Sequence, residues 1–239
     1  MEKYILSKNI YFFRHGETDW NIEGKAQGCE HDIELNINGK KQASLVGDYL
    51  LNNNIKADLI ISSGMKRADE TANIIKEKIN YQLPIIIIDN LKEKCQGKLG
   101  GLTFEEIKIN KDFDKYNELQ TELKYEKDPI KQRELFYNNN IIFNKLYDVE
   151  LYSNFRHRCK KALKKIYTKN EKNIIVVAHG GTILQILQIL MNCDDYIEGD
   201  YKYGSNCHMS YIKLFEKKSN NKIKRKIKII KFLTSLHLK

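Results

Sequence analysis

Closely spaced cysteines are absent from this sequence. Its five cysteines are odd in number and widely scattered, without a Cys-x-x-Cys pair: Cys29, Cys95, Cys159, Cys193 and Cys207. We therefore expect neither a disulfide framework nor a zinc site, and nothing around Cys29 or Cys95 indicates a thiolate of low pKa. Unpaired cysteines of this kind are typical of proteins in the reducing cytosol.

Long apolar segments are also absent. Nowhere do 18 consecutive apolar residues occur, which excludes an ordinary transmembrane helix. The N-terminal MEKYILSKNI has an acidic residue at its second position and no apolar run of signal-peptide length. We therefore expect a soluble, cytoplasmic protein that does not have a membrane among its partners.

Proline is rare, whereas lysine, asparagine and isoleucine are abundant. The chain has 2 prolines and a formal net charge of +10, and A/T-rich codons would produce part of this bias. The charge alone therefore does not choose among nucleic acid, a membrane surface and small anionic substrates. With 41% hydrophobic residues in 239 positions, the chain can bury a sizeable core. We expect one domain over residues 1–239.

Short apolar runs alternate with segments of helical periodicity along most of the chain. Four runs predict strands: NIYFF from Asn9, DLIIS from Asp58, PIIII from Pro84 and NIIVVA from Asn173. The first and last are uninterrupted, as in central parallel strands that are buried on both faces. Helices are predicted from about Asn38, Gly64, Asn154 and Gly181. This alternation predicts an α/β fold, a three-layer sandwich in which helices flank a mostly parallel central sheet.

Two segments depart from the alternation. Residues from about 105 to 150 are charged and loosely patterned, and we expect them to form an inserted helical cap. In the C-terminal tail, isoleucine and lysine alternate in KIKRKIK after a candidate turn at SNN, which predicts an edge hairpin with a solvated lysine face. Because no nucleic-acid-binding motif accompanies these lysines, we expect no nucleic-acid partner.

Charged side chains follow the ends of the predicted strands. Arg14 and His15 follow NIYFF, and His179 follows NIIVVA and precedes two glycines. Arg67 lies in the segment after DLIIS, and Glu93 lies in the loop after PIIII. Because ligands bind at the carboxyl ends of the strands in an open parallel sheet, these side chains are predicted to meet in one site.

These residue types together suit the transfer of a phosphoryl group. Arginine donates bidentate hydrogen bonds to phosphate and keeps its charge near neutral pH. A neutral imidazole can attack phosphorus and form a phosphohistidine, which divides the displacement into two steps. A carboxylic acid can then protonate the leaving oxygen, and as a carboxylate it can activate the water that clears the intermediate.

The motifs that carry these residues resemble those of the histidine phosphatase superfamily, also called the phosphoglycerate-mutase-like family. RHGETDWNIEGKAQG is similar to its first motif, SSGMKRADETA to its arginine motif, LKEKCQGKLGGLT to its general-acid motif and VVAHGG to its second-histidine motif. Weaker similarity extends to FRHRCKKAL, SNCHMSYIKLF and FLTSLHL. The resemblance therefore covers nearly the whole chain apart from the cap.

The resemblance implies a role for each matching residue. His15 would be the phosphorylated nucleophile, Glu93 the proton donor, and Arg14, Arg67 and His179 donors to the phosphate. Further phosphate-binding or pocket-lining residues would be Thr18, Asn21, Gln27, Gly28 and Gly180. The resemblance implies neither a metal nor another cofactor. The remaining histidines lack such support and are interpreted as structural or surface residues: His31, His157, His208 and His237.

Within this family the main alternatives are a phosphatase and a phosphoglycerate mutase. The chain departs from the mutase motifs at Gln27, Lys94, Cys95, Gln96, Thr103 and Phe104. Its cap also lacks the adjacent arginines with which a mutase would hold the phosphoglycerate carboxylate and exclude water. We therefore expect a metal-independent phosphatase. A cofactor-dependent phosphoglycerate mutase is the alternative, and a non-catalytic scaffold that binds a phosphorylated ligand is a more distant one.

The sequence leaves the substrate and the assembly state open. The expected partner is a small phosphorylated substrate, and a phosphoprotein remains open as well. No recognisable motif in the cap selects among a phosphoprotein, a sugar phosphate and a nucleotide. A monomer and a homodimer are both compatible with the sequence.

Overall fold

The computed structural model describes residues 4–192, 205–219 and 222–235. Its strands are β1 (Ile5–Arg14), β2 (Leu59–Ser62), β3 (Ile86–Ile87), β4 (Asn173–Ala178), β5 (Met209–Ser219) and β6 (Lys222–Thr234). Its helices are α1 (Asp19–Ile22), α2 (Ile37–Asn52), α3 (Lys66–Lys78), α4 (Phe104–Ile109), α5 (Asp114–Tyr125), α6 (Pro129–Tyr147), α7 (Tyr152–Tyr167) and α8 (Gly180–Leu190). Among the helices of the described ranges, none is long and apolar enough to cross a bilayer.

One mixed sheet of 6 strands forms the centre of the fold. Its strand order is β3-β2-β4-β1-β5-β6. The first four strands in this order run parallel to one another, whereas β5 is antiparallel to β1 and β6 is antiparallel to β5. The prediction of an α/β fold with a mostly parallel sheet between helices is confirmed.

Both faces of the sheet are buried, as the uninterrupted apolar strands predict. Alternate side chains of β1 enter different cores: Ile10 and Phe12 face one cluster, and Tyr11 and Phe13 face the other. Helices α7 and α8 cover the first face, and α2 and α3 cover the second. Because successive side chains of a strand point to opposite faces, this burial explains why every position of the run is apolar.

The strand predicted from Pro84 is much shorter than expected. Only Ile86 and Ile87 form β3, which pairs with Ile61 and Ser62 of β2 at the edge of the sheet. Proline has no N–H to donate, and after β3 the chain enters a 3₁₀ turn at Asp89–Leu91. This early turn brings the loop that carries Glu93 back toward the carboxyl ends of the strands.

The predicted C-terminal hairpin is present as β5 and β6. On β6, Ile227 and Ile229 pack against the core, whereas Lys226 and Lys228 are exposed. Over residues 226–229 the alternation of isoleucine and lysine thus separates a partly buried face from a solvated one, whereas Ile223 near the start of β6 is exposed. His237 and Cys193, which the sequence analysis considered, lie outside the described residues.

The cap predicted over about 105–150 is helical and has a core of its own. It comprises α4, α5 and α6, and Pro129 begins α6 directly after Asp128, whose side chain accepts the Ile130 N–H. Its buried cluster consists of Leu99, Ile107, Phe113, Leu119, Phe143, Tyr147 and Val149. This packing explains the aromatic residues of a segment that otherwise reads as a solvated surface.

Helix α2 lies against the backbone of the segment that follows β1. A Cβ atom at Gly39 would lie 2.6 Å from the backbone nitrogen of Glu17, and one at Gly16 would lie 2.5 Å from the carbonyl oxygen of Gly39. Both contacts are to backbone atoms, which cannot move aside as a flexible side chain can. The two glycines therefore set how closely α2 approaches the site.

We predict that Gly39→Ala lowers the free energy of unfolding by roughly 3 kcal/mol, because the added methyl group must displace backbone. The matched control is Lys40→Ala on the exposed side of the same helix, which should change stability by less than about 0.5 kcal/mol. Urea unfolding of the three proteins measures the difference. Equal stability of the two variants would contradict this account of the packing.

Candidate active site

The parallel register of β1 and β4 places two histidines side by side. Arg14 is paired with Ala178 at the ends of these strands, so that the next residues are His15 and His179. The backbone N–H of His15 donates to the carbonyl of Ala178 at 2.9 Å, and the centroids of the two imidazole rings are 5.3 Å apart. The structure thus brings together the two histidines on which the predicted site depends.

The imidazole of His15 is buried and its orientation is fixed. Its Nδ1 lies 2.7 Å from the carbonyl oxygen of Gly16. A carbonyl can only accept a hydrogen bond, so Nδ1 carries the proton and Nε2 carries the lone pair. Burial lowers the pKa of His15 well below its ordinary value, and the charges of Arg67 and Arg14 lower it further. The ring is therefore neutral near pH 7.

His179 is completely buried beside it. Its Nε2 lies 2.8 Å from the Ser63 hydroxyl, and its Nδ1 has no hydrogen-bond partner in the described part of the chain. Burial lowers the pKa of His179 well below its ordinary value, with further contributions from Arg67 and His15. A buried imidazole nitrogen without a partner is costly, and a polar ligand in the pocket could satisfy it.

Arg67 lies in the first turn of α3 and is fully buried. Its Nη2 donates to the carbonyl of Gly28 at 2.9 Å and its Nη1 to the carbonyl of His31 at 3.0 Å. Its Nε has no hydrogen-bond partner in residues 4–192, 205–219 and 222–235. Burial lowers the pKa of Arg67 to about 10, although the nearby Glu93 carboxylate acts to raise it. The guanidinium therefore stays charged at neutral pH, as does that of Arg14 at the end of β1.

Glu93 lies where α8 begins. Its carboxylate accepts one hydrogen bond from the backbone N–H of Gly181 at 2.9 Å and another from that of Lys94 at 2.8 Å. A Cβ atom at Gly181 would lie 2.6 Å from a Glu93 carboxylate oxygen, so only glycine allows this approach. The side chain of Glu93 is thus held at the N-terminus of α8, which begins at Gly180 directly after His179.

The other predicted site residues lie around this centre with differing contacts. Asn21 Oδ1 accepts hydrogen bonds from Thr18, which caps α1, and the buried Oε1 of Gln27 has no partner among the described residues. Gly28 has a positive φ of 57° and gives its carbonyl to Arg67. Gly180 is the first residue of α8, where a backbone N–H has no partner within the helix.

Comparison with known proteins decides the family. Residues 10–224 match the model of the histidine phosphatase superfamily (branch 1). The chain belongs to this superfamily.

Relatives in this superfamily carry different activities in their names. An uncharacterized phosphatase, PhoE of Bacillus subtilis, is 30% identical over 190 residues that cover 79% of this chain and 80% of the relative. A 2,3-bisphosphoglycerate-dependent phosphoglycerate mutase of Buchnera aphidicola is 30% identical over 208 residues, 80% of this chain and 87% of the relative. The crystal structure of a phosphoglycerate mutase from Bacillus anthracis shares the fold, with a TM-score of 0.68 at 21% identity over 90% of this chain and 92% of that one. The resemblance to this superfamily that the sequence predicts is confirmed.

Sequence reasoning missed two residues that contact the predicted site residues. Ser63, one residue beyond the end of β2, contacts His179, as described above. The Nδ2 of Asn206 donates to Asn21 Oδ1 at 2.9 Å and lies 3.2–3.3 Å from the carbonyl oxygens of Gly16 and His15. Both residues stand in segments that the resemblance covers, SSGMKRADETA and SNCHMSYIKLF, but neither has a charge that would mark it.

A second missed feature is the ion pair between Arg158 and Glu150. Arg158 Nε donates to Glu150 at 2.7 Å, and its Nη2 donates to the carbonyl of Glu93 at 2.7 Å. Glu150 in turn accepts the N–H of Cys95 at 3.1 Å. Arg158 lies in FRHRCKKAL, whose weak similarity to the family was the available signal. The pair fixes the loop that carries Glu93 from both of its sides.

The expectation that the cysteines are unpaired is wrong for Cys29 and Cys95, which form a disulfide across 66 residues of sequence. Spacing could not reveal the pair, because the fold brings the loop after Gly28 against the loop after Glu93. In the chain-entropy account, closing a loop of this length stabilises the folded state by roughly 4 kcal/mol. The other described cysteines, Cys159 and Cys207, are buried thiols that take no part in this disulfide.

The remaining histidines have different environments. The His31 ring packs against Trp20 with centroids 4.9 Å apart, His157 is exposed on α7, and His208 is buried just before β5. The carbonyl oxygen of His208 accepts a hydrogen bond from the backbone N–H of Arg14 at 3.1 Å. The placement of these three residues agrees with their interpretation as structural or surface residues.

We predict that the protein loses stability as the pH falls below about 6.5, because the unfolded chain protonates histidines that stay neutral when folded. The contribution of each of His15 and His179 to the free energy of unfolding is fully present above that pH. It declines on acidification by up to about 1.4 kcal/mol per pH unit. Urea unfolding between pH 8 and pH 5 should show a smaller decline for His15→Gln than for wild type. The exposed control, His157→Gln, should show the wild-type decline, and a similar change of slope in both variants would contradict the prediction.

We predict that Arg158→Gln lowers the free energy of unfolding by roughly 3 kcal/mol, because Glu150 and three backbone carbonyls lose the hydrogen bonds that the guanidinium donates to them. The side chains of the pair are only 18% and 14% exposed, so solvent compensates little. The control is Lys115→Gln, which breaks the exposed pair with Glu118 and should cost less than about 0.5 kcal/mol. Chemical denaturation measures both. Equal losses of stability would show that the ion pair between Arg158 and Glu150 contributes no more than a surface ion pair.

Proposed function

We propose that this chain is a metal-independent phosphatase that hydrolyses phosphate monoesters through a phosphohistidine on His15. The observation that supports this most strongly is the 2.7 Å contact between Nδ1 of His15 and the carbonyl oxygen of Gly16. Because a carbonyl can only accept, this contact assigns the ring proton to Nδ1, and burial with the charges of Arg67 and Arg14 lowers the pKa of the ring so that it stays neutral. The lone pair of Nε2 is therefore available to a phosphorus atom, which is what a nucleophilic imidazole requires.

In the first step, His15 Nε2 attacks the phosphorus and the bond from phosphorus to the ester oxygen breaks. Glu93, in its protonated form, gives its proton to the leaving oxygen and the alcohol departs. Nε2 then carries the phosphoryl group, while Nδ1 keeps its proton and its hydrogen bond to Gly16. The fixed ring orientation keeps the attacking nitrogen aimed at one point in the pocket.

In the second step, the Glu93 carboxylate takes a proton from a water molecule that attacks the phosphorus. The bond between phosphorus and Nε2 breaks, inorganic phosphate forms, and His15 returns to its neutral state. Because the same carboxyl group gives a proton in one step and takes one in the next, a single acidic side chain serves both.

The positive charge that a phosphoryl group needs comes from the protein itself in this proposal. Arg14 and Arg67 stabilise the charge that is spread over the phosphoryl oxygens. His179 donates from its unpartnered Nδ1, and Asn21 and the Gly180 N–H donate further hydrogen bonds. Thr18, Gln27 and Gly28 shape the entrance and position Asn21 and Arg67. No step is assigned to a metal or another cofactor.

The substrate in this proposal is a small phosphorylated molecule, with a phosphoprotein as the broader alternative. The departures from the mutase motifs at Gln27 and around Lys94 to Gln96 favour hydrolysis over isomerisation. The similarity to the Bacillus subtilis phosphatase is compatible with hydrolysis but does not decide between the two reactions.

A phosphoglycerate mutase is the second candidate, and the comparison with named relatives favours it. The Buchnera aphidicola relative, a mutase by name, is as similar to this chain as the phosphatase is.

The test is phosphate release from p-nitrophenyl phosphate and 3-phosphoglycerate, with and without a chelator. We predict chelator-resistant release of phosphate by wild type, a loss to background in His15→Ala, and unchanged activity in the exposed control His157→Ala. Glu93→Gln should lower turnover by about 10²-fold or more on 3-phosphoglycerate, because its alkoxide needs a proton. The loss should be smaller on p-nitrophenyl phosphate, whose leaving group is stable without one.

Each other outcome has a definite meaning. Isomerised phosphoglycerate without free phosphate would replace the proposal by the mutase. Activity that disappears with the chelator and returns with a metal would overturn metal independence. Full activity in His15→Ala would overturn the phosphohistidine.

A further inference from the structure

The disulfide between Cys29 and Cys95 joins the two loops that complete the pocket. Cys29 directly follows Gly28, whose carbonyl binds the guanidinium of Arg67. Cys95 lies two residues after Glu93, and its Cα is 4.5 Å from that of Cys29. The bond therefore connects the phosphate-binding side of the site to the side that carries the acid.

The pair can be reached from solvent, unlike the other described cysteines. Cys29 and Cys95 are each partly exposed, whereas Cys159 and Cys207 are completely buried. Burial also raises the pKa of each of these buried thiols to about 12, which leaves almost no thiolate at neutral pH. Among the described residues, thiol chemistry is therefore confined to the two loops beside the pocket.

We propose that Cys29 and Cys95 form a site of reversible thiol–disulfide exchange with small-molecule disulfides of the glutathione type, and that the paired state is the active one. In oxidation, one protein thiolate attacks the small disulfide and releases one thiol, which gives a mixed disulfide. The second protein thiolate then attacks the protein sulfur of that mixed disulfide and releases a second thiol. One small disulfide is reduced to two thiols, and the two protein thiols are oxidised to one disulfide.

Reduction of the disulfide should make the loop that carries Glu93 and Cys95 more mobile without unfolding it. The carboxylate of Glu30 accepts the N–H groups of Gln96 and Gly97 at 3.1 Å and 2.6 Å, and Glu150 accepts that of Cys95. These contacts stay in place when the sulfurs separate. The covalent limit on the distance between Cys29 and Cys95 is lost, however, and small displacements of a catalytic group strongly reduce turnover. We expect turnover to fall about tenfold on reduction.

The experiment exposes the full chain to buffers of graded ratio of oxidised to reduced glutathione. Free thiols are then alkylated, and residues 29 and 95 are located by peptide mass spectrometry. The same samples are assayed with p-nitrophenyl phosphate. All buffers contain a chelator, because the Cys29 and Cys95 sulfurs and the Glu30 carboxylate lie within 4.8 Å of one another and a reduced pair could bind a thiophilic cation.

Wild type should protect both cysteines together in oxidising buffer and expose both in reducing buffer, with turnover following the same midpoint. The double variant Cys29→Ser, Cys95→Ser should have the turnover of reduced wild type at every ratio. Cys29→Ser alone should accumulate glutathione on Cys95, because the second exchange step is missing. This adduct identifies the site even if Cys193 also reacts.

Labelling that does not depend on the glutathione ratio would overturn the exchange site. Labelling that changes while turnover stays constant would overturn the control of activity. The effect on turnover rests on the proposed phosphatase function, whereas the exchange does not. If the protein has no phosphatase activity in any buffer, the proposed function fails, and the labelling still decides whether the pair exchanges.

Discussion

The buried guanidinium of Arg67 is the interaction on which the site depends. It binds two backbone carbonyls, those of Gly28 and His31, and thereby fixes the course of the loop that follows α1. Neither carbonyl carries a formal charge, and the carboxylates of Glu93 and Asp32 act on the cation from nearby without a hydrogen bond to it among the described residues. Its field reaches His15 and His179 and contributes to keeping both rings neutral. A pocket that is positive and contains neutral imidazoles favours a doubly charged phosphate and a nucleophilic nitrogen together.

The rest of the fold restrains the groups around this cation. Gly16 and Gly39 allow α2 to press on the segment after β1, and Gly181 allows Glu93 to reach the start of α8. Asn206 holds the carbonyls of His15 and Gly16, while Arg158 holds those of Lys92 and Glu93. Few of these restraining residues would touch a phosphate. They matter because a displacement of a catalytic group by a fraction of an ångström changes the rate.

The sequence predicts the parts of this protein that local pattern determines. Uninterrupted apolar runs place β1 and β4 in the centre of the sheet, and the charged residues after them mark its carboxyl edge. The alternation of isoleucine and lysine predicts the hairpin. What the sequence does not predict depends on contacts between distant segments. Three such contacts join residues that are far apart in the sequence and that no local spacing relates. They are the disulfide between Cys29 and Cys95, the hydrogen bonds of Arg158 to the loop that carries Glu93, and the hydrogen bonds of Asn206. The length of β3 also depends on distant contacts. This strand lies at the edge of the sheet and pairs only with β2, so only two residues of the apolar run from Pro84 become part of the sheet.

The central claim is that His15 carries the phosphoryl group covalently, and the most direct measurement is to detect it there. Enzyme mixed rapidly with p-nitrophenyl phosphate is quenched without acid, since phosphohistidine is labile to acid, and its peptides are analysed by mass spectrometry. The account predicts one added phosphoryl group on the peptide that contains His15, with a larger fraction in Glu93→Gln because its hydrolysis is slowed. Turnover with no phosphoryl group on His15 in either protein, or a phosphoryl group on another residue, would contradict it.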